Sequence, residues 1–139
     1  MQFHLWTVQM AQWRLCKKEG IFLLDTTAKS GEQAFAPEYG AVIAYKNGAL
    51  SENDYTKAYL EKMALSLEMR PDKWRKLLLQ PKVAIACYCR AGVFCHRHLF
   101  LDLMEGYLQA HNQHVTVHGE LTPQGRINHE PRPEGNRDQ

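Results

Sequence analysis

The sequence predicts an α/β fold: one three-layer domain with a mostly parallel, Rossmann-like sheet of about four strands flanked by helices, and a polar C-terminal tail. Three observations carry this expectation. Short apolar runs near residues 3–8, 21–25, 83–87 and 115–118 alternate with stretches of helical periodicity, the pattern of parallel strands joined by helical crossovers. The run Val83-Ala84-Ile85-Ala86-Cys87 is apolar at consecutive positions, as a strand covered on both faces must be. The chain of 139 residues, 45% hydrophobic and 23% charged, is long enough for one core and too short for two.

Each element has its own warrant. Phe3, Leu5 and Thr7 alternate with His4, Trp6 and Val8 in a first strand. Residues 11–19 fit a short helix closed by Gly20. Ile21 to Asp25 is a buried strand that opens into the polar loop Asp25 to Gly31. Pro37 suits the first turn of a short helix that Asn47-Gly48 ends. Ser51, with Asp54 three residues later, caps the longest helix, predicted over 52–69. Pro71 breaks that helix and starts another, and the central strand follows. Leu99, Phe100, Leu103, Met104, Tyr107 and Leu108 recur at three- and four-residue spacing, so 96–111 is a helix with one apolar face. Residues 115–118 read as the last strand of a domain spanning 1–121. Residues 122–139, with three prolines and few apolar side chains, read as the tail.

Composition narrows the function classes. A formal net charge of +2 is too weak for a nucleic-acid surface, so anion binding should be local. The N-terminus lacks the character of a secretory signal, and no apolar run approaches a membrane span, so a soluble, cytoplasmic protein is expected. Three of the four cysteines fall within nine residues, unlike the dispersed framework of a secreted domain, and they read as reduced thiols.

The chemistry is expected at the carboxyl ends of the strands, where ligands of such sheets bind. Asp25, Thr26, Thr27, Lys29 and Ser30 follow the second strand, Cys89 to Arg97 the third, and His118 and Glu120 the last. The unpaired N–H groups of the helix starting near Cys95 favour an anion. Arg97 in that first turn opposes the helix dipole and is sensible only beside an anion or a carboxylate. It either clamps a phosphate together with Arg90 or pairs with Asp25 or Glu120. Cys95, beside His96 and Arg97 at a helix start, has the surroundings of a low-pKa nucleophile. Cys87 reads as core, and Cys89 as facing the crevice.

The segments CYCRAGVFCHRH, LLDTTAKSG, AFAP and NDYTKAYLEKM together resemble the domain of unknown function 488 family, over about residues 3–121. The resemblance implies a small α/β domain whose pocket includes Cys95, His96 and Arg97, and it carries no settled reaction with it. Many members have an acidic residue where this chain has Cys89.

The expected function is binding of a small phosphorylated, nucleotide-derived ligand, with hydrolase or transferase chemistry as its extension. Arg97 and the helix start would hold the anion, and Arg90, Cys89, Thr27, Lys29 and Ser30 would add contacts. Cys95 would be the nucleophile and His96 a proton shuttle, with Asp25 or Glu120 orienting a base or a ribose hydroxyl. No cofactor and no metal is assigned. The alternatives are zinc on Cys87, Cys89, Cys95 and His96 or His98, rhodanese-like sulfur transfer at Cys89-Arg90-Ala91-Gly92, and a non-catalytic regulator. For zinc, two cysteines one residue apart in an extended strand point badly for a single ion.

Overall fold

The computed structural model describes residues 1–90 and 93–127. Ala91 and Gly92 of the expected chemical loop, and the expected tail from 128 to 139, lie outside the described residues.

The strands are β1 (Gln2–Gln9), β2 (Phe22–Asp25), β3 (Lys82–Cys87), β4 (His114–Thr122) and β5 (Gly125–Ile127), and the helices are α1 (Trp13–Glu19), α2 (Tyr39–Lys46), α3 (Glu52–Met69), α4 (Pro71–Lys76) and α5 (His96–Ala110). The sheet order is β2-β3-β1-β4-β5; the first four strands are parallel and β5 runs antiparallel to β4. The α/β fold read from the sequence is therefore the one observed. Two boundaries differ. The turn before α1 is a 3-10 segment, Met10–Gln12. The polar composition read as the start of a tail begins inside the sheet: β4 continues through Thr122 and turns back into β5, with Glu120 opposite Ile127.

Alternation sorts the strands into two faces. Phe3, Leu5, Leu24, Val83 and Ile85 face α5 and α3, where they pack on Phe100, Leu101, Met104, Leu108, Tyr59 and Met63. Trp6, Val8, Ala84 and Ala86 form the opposite face and pack on Cys16 of α1 and Ile21. Burying each large side chain of the first cluster contributes about 1.5–3 kcal/mol, so the α5 side dominates the core. Ser51 caps α3 by accepting from the Asp54 N–H at 3.0 Å.

One irregularity decides what the last strand presents. Between Leu5 and Trp6 the register of β1 on β4 slips by one, from Leu5 opposite Val117 to Trp6 opposite Gly119, with His118 as the extra residue of the bulge. Gly119 takes φ 99°, a conformation that L side chains rarely adopt. The slip turns Glu120 onto the α5 face directly opposite Thr7, where strict alternation from Val115 and Val117 would have turned it away. Among the described residues, no helix is long and apolar enough to cross a membrane.

Candidate functional site

β3 ends at Cys87 on the face shared with α5, and the chain bends immediately, so that the Cys89 N–H donates back to Cys87 Sγ at 3.4 Å. Cys95 then forms the N-cap of α5 without any cap hydrogen bond from its side chain. The sulfurs of Cys87, Cys89 and Cys95 lie within 4.8 Å of one another. The divergence expected of Cys87 and Cys89 does not occur, because the strand stops between them.

The order of acidity expected of two thiols is reversed. Cys95 is 3% exposed, and burial first, then its neighbours Cys87 and Cys89, push its thiol well above the ordinary value. Cys89, half-buried, is held far below the ordinary thiol value by hydrogen bonds from the Cys87 and Cys95 thiols, with Lys46 and Arg97 adding positive charge against the opposing effect of burial. Cys89 is thus the most readily ionised thiol of the cluster, and Cys95 the one that holds its proton.

Arg97 is fully buried, and its five N–H groups are all engaged. Nη1 donates to Cys87 Sγ and to the Cys89 carbonyl, both at 2.9 Å; Nη2 donates to the Arg90 carbonyl at 3.0 Å and to Glu120 Oε2 at 3.2 Å; Nε reaches Glu120 Oε1 at 3.4 Å. Glu120 also accepts from Thr7 Oγ1 at 2.5 Å. A guanidinium with five partners has no donor left for a ligand. The phosphate clamp expected at Arg97 is thus replaced by a strut that ties the loop, the end of β3 and the bulged end of β4 together. Arg90 is exposed and enters this network through its carbonyl oxygen.

His96 is buried on the far side of Cys95. Thr26 Oγ1 donates to the Ala86 carbonyl at 2.9 Å, and His96 Nε2 faces both that hydroxyl at 2.9 Å and the Thr26 carbonyl at 2.8 Å. Only a protonated Nε2 satisfies both acceptors, which leaves Nδ1 unprotonated and facing Cys95 Sγ at 3.6 Å. Burial pulls the imidazole pKa down to about 4, so the ring expected as a proton shuttle is neutral near pH 7. A histidine held neutral in the fold stabilises it fully above the unfolded value of about 6.5 and loses that contribution as pH falls towards 4. In chelator-treated protein this group alone should remove about 3 kcal/mol over that interval, and His96→Asn should flatten that part of a urea-denaturation pH profile.

The cavity at this edge of the sheet, about 280 Å³, is walled by Tyr39, Tyr45, Tyr55 and Phe94 and floored by the three cysteines and His96. Tyr45 stands 5.2 Å from Tyr55 and 5.6 Å from Phe94, ring centre to ring centre. Thr27, Lys29 and Lys46 complete the wall, with the Lys29 ammonium 4.6 Å above the Tyr39 ring. Thr27 and Lys29 thus join Cys89 as sequence reading expected. Asp25 and Ser30 do not: they line a separate cleft beside β2, where Asp25 accepts from the Thr27 N–H and Ser30 bonds the Thr27 hydroxyl. Glu120 reaches the cavity only through Arg97. His118 lies on the opposite sheet face, stacked on Trp6 at 4.5 Å. The aromatic wall and Lys46 were missed; the available signal was the run of tyrosines on α2 and α3.

The family model described as "DUF488-N3a: Active DUF488-N3 subclade" matches residues 25–108, more than half of the chain, and the matched span contains every residue that lines the cavity. No curated protein and no solved structure matches the chain.

Proposed function

Because the chain belongs to the DUF488-N3a family, described as an active subclade, we propose that it binds a small phosphorylated, nucleotide-derived molecule in the aromatic cavity and acts on it through the Cys89 thiolate. The observation that carries this reading is the cavity itself. Its volume is near the lower end of small-molecule sites, and Tyr39, Tyr45, Tyr55, Tyr88 and Phe94 line it, which suits a flat ring system. Lys29 and Lys46 offer the only cationic side chains of that wall among the described residues, and they take the anionic end.

Cys89 is the least buried of the three floor thiols and the one to meet an electrophilic centre. Its sulfur forms the new bond, the leaving group departs with the electron pair of the broken bond, and water or an acceptor later displaces the sulfur, as in other thiol hydrolases and transferases. Cys95 keeps its proton beside that sulfur and can supply it to the leaving group.

The test is a thermal-shift screen of chelator-treated protein against AMP, ADP-ribose, cyclic nucleotides, dinucleotides and inorganic phosphate. A nucleotide-selective rise is expected, and Tyr45→Ala should lower the affinity of the hit about tenfold, the order of one lost ring contact. A flat screen, or equal shifts by inorganic phosphate and nucleotides, would overturn the reading.

A further inference from the structure

We propose that Cys87, Cys89 and Cys95 form a three-thiolate site for a thiophilic divalent cation, zinc above others, at the floor of the cavity, and that the ion and an electrophile exclude one another at Cys89.

The first support is distance. Zinc–sulfur bonds of about 2.3 Å in a tetrahedral site place sulfurs about 3.8 Å apart, so three sulfurs already within 4.8 Å need to close by only about 1 Å. They come from a strand end, a bend and a helix cap, and the half-buried bend carrying Cys89 is free of regular structure, so the closing movement falls on a short loop.

The second support is the set of groups around the sulfurs. Metal-bound thiolates are oriented by N–H donors behind them. Cys87 Sγ already accepts from Arg97 Nη1 at 2.9 Å and from the Cys89 N–H at 3.4 Å. Beside Cys95 Sγ, at 3.6 Å, stands His96 Nδ1, and the other nitrogen of that ring donates to a backbone carbonyl, the arrangement that metal-ligating histidines adopt.

Charge points the same way. Three thiolates this close repel one another, and a dication is what allows all of them to ionise. Binding forms three metal–sulfur bonds and releases to solvent the proton of every thiol that still held one. The remaining negative charge rests against Arg97 and Lys46. Since the ion takes the sulfur assigned to nucleophilic attack, metal-loaded protein is the silent form and metal-free protein the reactive one.

The experiment uses the full chain, reduced with a phosphine, stripped by chelator, and titrated with Zn²⁺ or Co²⁺ alone. Equilibrium dialysis with elemental analysis should give one ion per chain, and Co²⁺ should show a thiolate charge-transfer absorption in the near ultraviolet. Cys89→Ser, at a half-buried position, should lose at least about tenfold in affinity together with that absorption, and Cys16→Ser should bind as the unaltered chain does. Zn²⁺ should also block iodoacetamide modification of Cys89, and chelator should restore it. No retained ion, or unchanged binding in Cys89→Ser, would overturn the proposal. These readouts need no nucleotide, so a failed ligand screen and a failed metal site remain separate results.

Discussion

Iodoacetamide should modify chelator-treated protein at Cys89 with a rate that is nearly flat from pH 5 to pH 8. A thiol whose folded pKa is depressed is already ionised throughout that range, and its thiolate is lost only as pH falls through the folded value, below the range. An ordinary thiol is about 0.3% ionised at pH 6 and gains about tenfold in rate per pH unit. The plateau should be lower than that of a free thiolate at high pH, because intrinsic nucleophilicity falls with pKa. Cys89→Ser should slow modification of the native protein at pH 6 by about 100-fold, since the remaining Cys16, Cys87 and Cys95 are all buried. Turnover of any ligand found in the screen should vanish in the same variant. A rate that climbs tenfold per pH unit would show that Cys89 is an ordinary thiol.

Arg97→Met is expected to cost about 3–5 kcal/mol of stability, because it leaves the Glu120 carboxylate buried with Thr7 as its partner and strips the Cys89 and Arg90 carbonyls of their donor. For a domain of this size the melting temperature should fall by about 10–20 °C. Removing both charges, in Arg97→Met with Glu120→Gln, should cost clearly less than the sum of the single changes, since the second change relieves the orphaned charge left by the first. Urea denaturation of the four proteins measures this directly. A loss below about 1 kcal/mol in Arg97→Met would mean that the strut is dispensable. An anion clamp would have behaved in the opposite way, losing ligand stabilisation while the fold stayed intact.

The two thiol roles and the duty of Arg97 show where sequence reading stops. Apolar periodicity is local, so β1, β2, β3, α3 and α5 were legible from residues close together in the chain. Arg97 was legible as a problem, a cation at a helix start that needs a carboxylate, but its partner lies 23 residues away. Glu120 reaches it only because of the slip at His118, and no alternation pattern reports a single bulged residue. The exchange in acidity between Cys95 and Cys89 turns on a bend after Cys87 that buries one sulfur and leaves the other half-buried. The aromatic wall draws on Tyr39, Tyr45, Tyr55 and Phe94, which meet only after two helices have docked. β5 was hidden by composition: Gly125-Arg126-Ile127 is too short and too polar to announce a strand, and it holds its place by backbone pairing with β4.

The strand order carries a consequence for synthesis on the ribosome. β1 is made first, yet it lies in the middle of the sheet, between β3, which begins at Lys82, and β4, which begins at His114. Its backbone groups therefore wait for partners that are translated about 75 and 110 residues later, several seconds at usual elongation rates. Helices α3 and α4 can form early from local contacts, but the sheet must assemble around a strand that has been waiting longest, after long loops have closed. The nascent chain thus carries an unpaired Phe-His-Leu-Trp segment while about 75 further residues are added, and an unpaired apolar strand of this kind is a template for pairing with other chains.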